Sequence, residues 1–367
     1  MARFIAFYLP QYHPTPENDV WWGKGFTEWT NVARAKKLYP GHYQPKIPAD
    51  LGFYDLRLPQ SRKAQADLAR EYGVEAFCYW HYWFGGGRRL LSLPFDEVVR
   101  TGEPDFPFCL AWANHSWAKK QFDKAGTQEM LMEQTYPGDE DAVLHFNTML
   151  PAFRDKRYLK VDGRLLFVIY NPLDNEWLLR FMAIWQRLAR ENGLPGFFFV
   201  GKSDKGRLKD EILAAGYDAV YNDTTLNVHH AQNMAYKVLL ELRARLFRYP
   251  KIFAYKEAVK HMIVETSTDE REFPVIAPNW DHTPRSGNGG ILFDKCEPRY
   301  FHEVVRRAIQ AVSDKPADRQ VVFIKAWNEW GEGNYMEPDL RYGRGMLEAL
   351  KAAVEENKRL PQTTEKE

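Results

Sequence analysis

Short apolar runs rich in β-branched and aromatic residues recur along the chain, and stretches of helical periodicity separate most of them. Eight such runs begin near Phe4, Val74, Phe106, Arg164, Phe197, Asp218, Pro274 and Gln320. Each is apolar at successive positions, as in Val321-Val322-Phe323-Ile324, the pattern of a strand covered on both faces. Eight βα units predict an α/β chain closed into a (β/α)8 TIM barrel. The intervening helices agree: Leu178, Phe181, Met182 and Trp185 follow i, i+3, i+4, i+7, and Asn192-Gly193 supplies a stop. Phe301, Val304, Val305, Ala308 and Val312 repeat the period before the eighth run, and Met346, Leu350, Ala353 and Val354 make a closing helix. Residues 1–358 read as a single catalytic domain with an inserted helical connection at 223–273, and 359–367 as a disordered tail.

A doubly wound sheet would also alternate strands and helices. Its Gly-x-Gly-x-x-Gly turn after the first strand is missing, and Pro10-Gln11-Tyr12-His13-Pro14 stands there instead. Two connections are long, from Pro10 to about Pro59 and from Asp223 to Phe273, and long βα connections on a barrel build its active face. The balance of 50 Lys plus Arg against 49 Asp plus Glu gives no electrostatic reason to expect nucleic acid. Three scattered cysteines argue against a disulfide framework. The strand-like start and the lack of a long apolar run lead to the expectation of a cytoplasmic protein. An aromatic share of 15% exceeds what a core needs and suits a flat, half-polar ligand.

On a barrel, catalytic side chains follow the strands. Here the strand ends carry Tyr8 and Tyr12, Trp80, His81, Tyr82 and Trp83, Trp112, Asn114, His115 and Trp117, then Tyr170 and Asn171, and later Asn279, Trp280, Asp281 and His282. The sharpest motif closes the eighth strand: Trp327-Asn328-Glu329-Trp330-Gly331-Glu332-Gly333, followed by Glu337. Two carboxylates three residues apart beside Trp can divide the acid and the nucleophile or base of glycoside chemistry. The plain alternative is a strand-end turn with surface glutamates. Asp139-Glu140-Asp141 matches a metal-binding pattern of sugar-nucleotide transferases but suits a helix start better. Gly85-Gly86-Gly87-Arg88-Arg89 reads as a phosphate cradle or as a loop with a basic rim. The basic amphipathic stretch 237–261 reads as a solvated helix face, or as a peripheral contact with a membrane or a lipid-linked glycan. No histidine pair has metal-ligand spacing on a helix, so neither metal nor cofactor is expected.

Several motifs together carry a resemblance. Phe7-Tyr8-Leu9-Pro10-Gln11-Tyr12-His13, Trp22-Gly23-Lys24-Gly25-Phe26-Thr27-Glu28-Trp29, Gly41-His42-Tyr43-Gln44-Pro45, Leu51-Gly52-Phe53-Tyr54-Asp55 and the stretch Ala277 to Arg285 resemble the WbsX-like family of bacterial polysaccharide gene clusters. The Trp-Asn-Glu-Trp-Gly-Glu-Gly motif does so too. That family is similar in fold and final motif to glycoside hydrolase family 99, the endo-acting α-mannosidases and α-mannanases. The resemblance implies a retaining, metal-independent enzyme acting on an oligosaccharide or polysaccharide, with Glu329 as base on the sugar 2-hydroxyl and Glu332 as general acid. It also implies Asn328 as a sugar ligand, Arg285 of the Asp281 to Arg285 stretch as a substrate contact and Tyr12 as a binding tyrosine. Trp80, Tyr82, Trp83, Trp112 and Trp117 would stack on the sugar, with Tyr8, Glu28, Asn114, Asn171, Trp327 and Glu337 completing the binding set. Gly331 departs from the histidine frequent in family 99, and the first loop with Glu28 replaces a His-rich stretch. The family also bears a glycosyltransferase label from surface-polysaccharide (O-antigen or capsule) biosynthesis, which gives the alternative reaction. A barrel that binds glycan without turnover is a third.

Overall fold

The computed structural model describes residues 1–120, 128–204, 208–263 and 269–359. Eight parallel strands form its centre: β1 (Arg3–Tyr8), β2 (Val74–Trp83), β3 (Phe108–Trp112), β4 (Arg164–Ile169), β5 (Phe197–Asp204), β6 (Ala219–Asp223), β7 (Glu272–Ile276) and β8 (Val321–Ile324). Each begins within two residues of its apolar run. Every strand pairs with the next, and β1 pairs with both β8 (Ile5 to Phe323) and β2 (Ile5 to Ala76), so the sheet closes into a (β/α)8 barrel. Closure leaves no unpaired edge among these eight strands.

The two-residue period decides which side chains fill the barrel. Phe7 points inward, stacked on Trp80 at 4.8 Å and Phe323 at 5.1 Å. Its neighbour Tyr8 points outward and donates to Gln65 Oε1 at 2.7 Å on the helix Pro59–Glu71. Helices Trp177–Glu191 and Pro298–Val312 bury the apolar rows expected of them, and Gly345–Arg359 closes the ring. Asn192 caps the first of these, its Nδ2 donating to the Leu188 carbonyl at 2.9 Å. Beyond Arg359 the expected tail lies outside the described residues.

The connection from β1 to Pro59 crosses the C-terminal mouth. It holds two short helices, Pro16–Trp22 and Glu28–Arg34, and is tied to the β8 loop by Ala49 N–H to the Pro338 carbonyl at 2.9 Å. The connection from β6 to β7 holds the helices Asn227–Ala231 and Met234–Phe247, a strand Lys251–Ala254 and a short helix Tyr255–Ala258. Among the described residues, no helix is long and apolar enough to cross a membrane.

Candidate active site

After β8 the chain makes a small hairpin in which Asn328–Glu329 pairs antiparallel with Asn334–Tyr335 around a 3-10 turn, Trp330–Glu332. Trp330 anchors it: the ring is fully buried, stacks on Tyr335 at 3.7 Å and donates through Nε1 to Glu337 Oε2 at 2.6 Å. Gly333 turns the hairpin with φ of +61°, and a Cβ there would lie 2.7 Å from Asp281 Cβ. The turn therefore sets Glu329 and Glu332 on one side of a rigid corner.

A single cation meets both. Arg285, from the short helix Thr283–Ser286 after β7, donates to Glu332 Oε1 through Nη1 at 2.7 Å and to Glu329 Oε1 through Nη2 at 2.9 Å. Its Nε donates to a third carboxylate, Glu28 Oε1, at 2.8 Å. Glu28 is buried and opens the helix Glu28–Arg34 of the first loop. This explains Gly331, whose added Cβ would fall 1.7 Å from Glu28 Oε1. The space that a side chain at 331 would need is filled by the carboxylate of Glu28.

One guanidinium cannot neutralise three carboxylates in so enclosed a place, so a proton is retained. Burial, with Glu332 and Glu28 acting the same way, outweighs Arg285 and raises the Glu329 pKa to about 7. Enclosure pushes Glu332 up as well, but Arg285, His282 at 3.6 Å and Lys325 outweigh it and hold the group at about 2. Between these values the pair holds one proton, with Glu329 the more basic of the two because Arg285, His282 and Lys325 favour ionised Glu332. The resemblance implies the reverse placement when the bond breaks, with the base on Glu329 and the acid on Glu332.

The pair faces a cavity of about 420 Å³, within the range of small-ligand sites. Of the expected residues, Glu28, Trp80, Tyr82, Trp117, Arg285, Glu329 and Glu332 line it. Trp80 meets Tyr170 edge-on at 5.6 Å and Trp117 meets Tyr82 edge-on at 5.1 Å, which fixes two aromatic walls. Lys325, His115, Tyr170, Phe7, Gln11 and Trp22 also line it. His115 and Tyr170 stand at strand ends, where the sequence points. Lys325 directly follows the last apolar residue of β8, where a strand-end rule would find it, and donates to Asp223 Oδ2 at 2.7 Å.

The other expected residues stand behind the wall. Tyr8 faces the helix layer, and Trp83 does likewise, stacked on His145 at 4.3 Å with Nε1 donating to Asp141. Trp112 is buried, its Nε1 donating to the Trp83 carbonyl. Tyr12 is spent on the β8 hairpin, donating to the Asn328 carbonyl and accepting from Trp330 N–H. Trp327 is fully buried against Phe77 at 5.2 Å. Asn328, implied as a sugar ligand, instead clamps the Leu9 backbone, accepting from its N–H at 2.7 Å and donating to its carbonyl at 3.0 Å. Asn114 and Asn171 clamp each other's backbone where β3 and β4 end. Asp281 accepts from His42, Gln44 and Thr283, and Glu337 from Tyr54, Gln65 and Trp330. Hydrogen bonds to the protein itself thus occupy most of their polar atoms, and Trp327 Nε1 is buried without a partner.

The loop Gly85 to Arg89 is occupied by its own neighbours: Arg88 donates to the Phe84 and Gly85 carbonyls, Arg89 pairs with Asp96 at 2.7 Å, and a Cβ on Gly85 would strike Thr135. Asp139 opens the helix Asp139–Phe153 and pairs with Arg180 at 2.5 Å. No group of three or more possible metal ligands gathers among the described residues.

A (β/α)8 barrel with paired acids and aromatic walls at its C-terminal face has the architecture of carbohydrate-active barrels. Residues 4–350 match the family described as Glycosyltransferase WbsX, and the chain belongs to that family. It is similar to the uncharacterized protein WxcX of Xanthomonas campestris pv. campestris (strain B100), at 37% identity over 358 residues, 96% of this chain and 50% of the relative. The WxcX of a second strain is 36% identical with the same coverage, so the chain spans about half the length of these curated relatives. Among solved structures, a glycoside hydrolase-like protein shares the fold at a TM-score of 0.59 and 15% identity, over 96% of this chain and 93% of that one. The GH99 endo-alpha-mannosidase from Bacteroides thetaiotaomicron does so at 0.56 and 16%, over 97% of each chain.

Proposed function

We propose that this chain is a retaining, metal-independent glycoside hydrolase that cleaves α-linked, manno-configured sugars within a bacterial polysaccharide or its precursor. The observation that carries this reading is the pair Glu329 and Glu332, held by one guanidinium on a rigid hairpin at the mouth of an aromatic-lined cavity. Trp80, Tyr82 and Trp117 stack on the sugar and orient it. Glu329 accepts the proton of the 2-hydroxyl as that oxygen attacks the anomeric carbon, and Glu332 protonates the departing glycosidic oxygen. Water then attacks the anomeric carbon of the 1,2-anhydro sugar, giving a proton to Glu332 as the C1–O2 bond breaks and Glu329 returns its proton to O2, and the anomer is retained. The step needs the pair's one proton on Glu332 when the bond breaks.

The test is hydrolysis of a panel of α-linked oligosaccharides and aryl glycosides by the wild type, Glu329→Gln and Glu332→Gln, followed by chromatography. Release by the wild type alone on natural linkages supports the reading. On aryl glycosides with a good leaving group, which needs no acid, Glu332→Gln should keep the anhydro-forming step while Glu329→Gln stays inactive. The opposite rescue exchanges the two roles. A second reading, transfer from an activated sugar to a lipid-linked acceptor, is favoured by the family description. Incorporation from a nucleotide sugar that persists in Glu329→Gln would replace the hydrolase with it.

A further inference from the structure

The helix Met234–Phe247 presents an apolar row to the outside. Its inward contacts are Leu240, 3% exposed, and Tyr236, whose ring lies 6.2 Å from Phe253. At 100° per residue the opposite face carries Val238, Leu242 and Leu246, which are 51%, 49% and 72% exposed, with Met234 and Leu239 beside them. Single exposed apolar residues need no explanation, but a contiguous row does.

Cations border the row. Arg245 lies on one flank and Arg243 on the other, with Lys237 before them and Arg248 and Lys251 after. The one acid in this stretch, Glu241, pairs with Arg245 at 3.2 Å. Five cations and one anion within residues 237–251 are a local excess in a chain whose total is +1. The helix is also at the working end of the barrel. The chain leaves β6 at Asp223, and Lys251–Ala254 pairs with Ile291–Asp294, whose Phe293 N–H donates to the Trp280 carbonyl just past β7.

We infer that this face docks on an anionic lipid bilayer, with the helix lying in the interface plane, Val238, Leu242 and Leu246 below the headgroups and the arginines among the phosphates. An apolar row with basic flanks is the composition such a surface selects. A second copy suits it poorly, because a two-fold contact would set the basic flanks of one chain against those of the other. The proposal is independent of the hydrolase reading.

The test is flotation of the whole chain with vesicles of phosphatidylcholine alone or with about one-third phosphatidylglycerol at ~0.1 M salt. Binding to the anionic vesicles only, weakened by salt, is expected. Leu242→Asp with Leu246→Asp should reduce it by at least about tenfold, and Arg243→Gln with Arg245→Gln should reduce the preference for anionic lipid. Unchanged melting temperature and circular dichroism in both variants separate this from misfolding. Binding to neither vesicle, equal binding to both, or binding that survives the aspartates overturns the inference. A concentration-dependent dimer broken by the aspartates would assign the row to a second copy.

Discussion

At the scale of single residues, the proposed chemistry turns on three carboxylates that share one guanidinium. The singly protonated pair of Glu329 and Glu332 exists between about pH 2 and about pH 7. Above the upper value both are ionised and no acid remains, so kcat/KM should fall roughly tenfold per pH unit beyond about 7. A pH series on an oligosaccharide checks this, and a rate still rising through pH 8 would contradict it. Gly331 and Glu28 form a second unit. Gly331→Ala should displace Glu28 from Arg285 and lower kcat by about 100-fold, because a small misplacement of charged groups is costly. Glu28→Ala should restore part of that loss in the double variant, a coupling that a double-mutant cycle measures. Additive losses would show that the two residues act separately.

At the scale of elements, the residues around the motif divide into those that face the cavity and those that hold the strand ends. Asn328 belongs to the second group. Asn328→Ala should leave the Leu9 N–H and carbonyl unpaired and cost about 3 kcal/mol in urea unfolding. Unchanged stability with a raised KM would put it in contact with sugar instead. This division was not legible in the sequence. Trp80, His81, Tyr82 and Trp83 alternate between the cavity and the helix layer, and composition gives the period of two without its phase. The eight strands were legible, because burial on both faces writes each as an unbroken apolar run. The amphipathic pattern of 237–261 was legible as well, but not its direction, since only the position of Leu240 shows which face turns inward.

At the scale of the whole molecule, the closed barrel sets rigid strand ends under two long connections, and the first of these completes the site by bringing Glu28 to Arg285. The carboxylates of the proposed site face cations of the chain itself, Arg285 and Lys325. EDTA should therefore leave the rate of glycoside release unchanged, and a loss restored by a divalent cation would contradict this. The most direct single measurement is the anomer first formed from an α-linked manno-oligosaccharide, followed by proton NMR before mutarotation. Release of the α-anomer by the wild type, and of nothing by Glu329→Gln or Glu332→Gln, is the expected result. A first-formed β-anomer, or release that survives either substitution, would contradict a retaining reaction carried by these two glutamates.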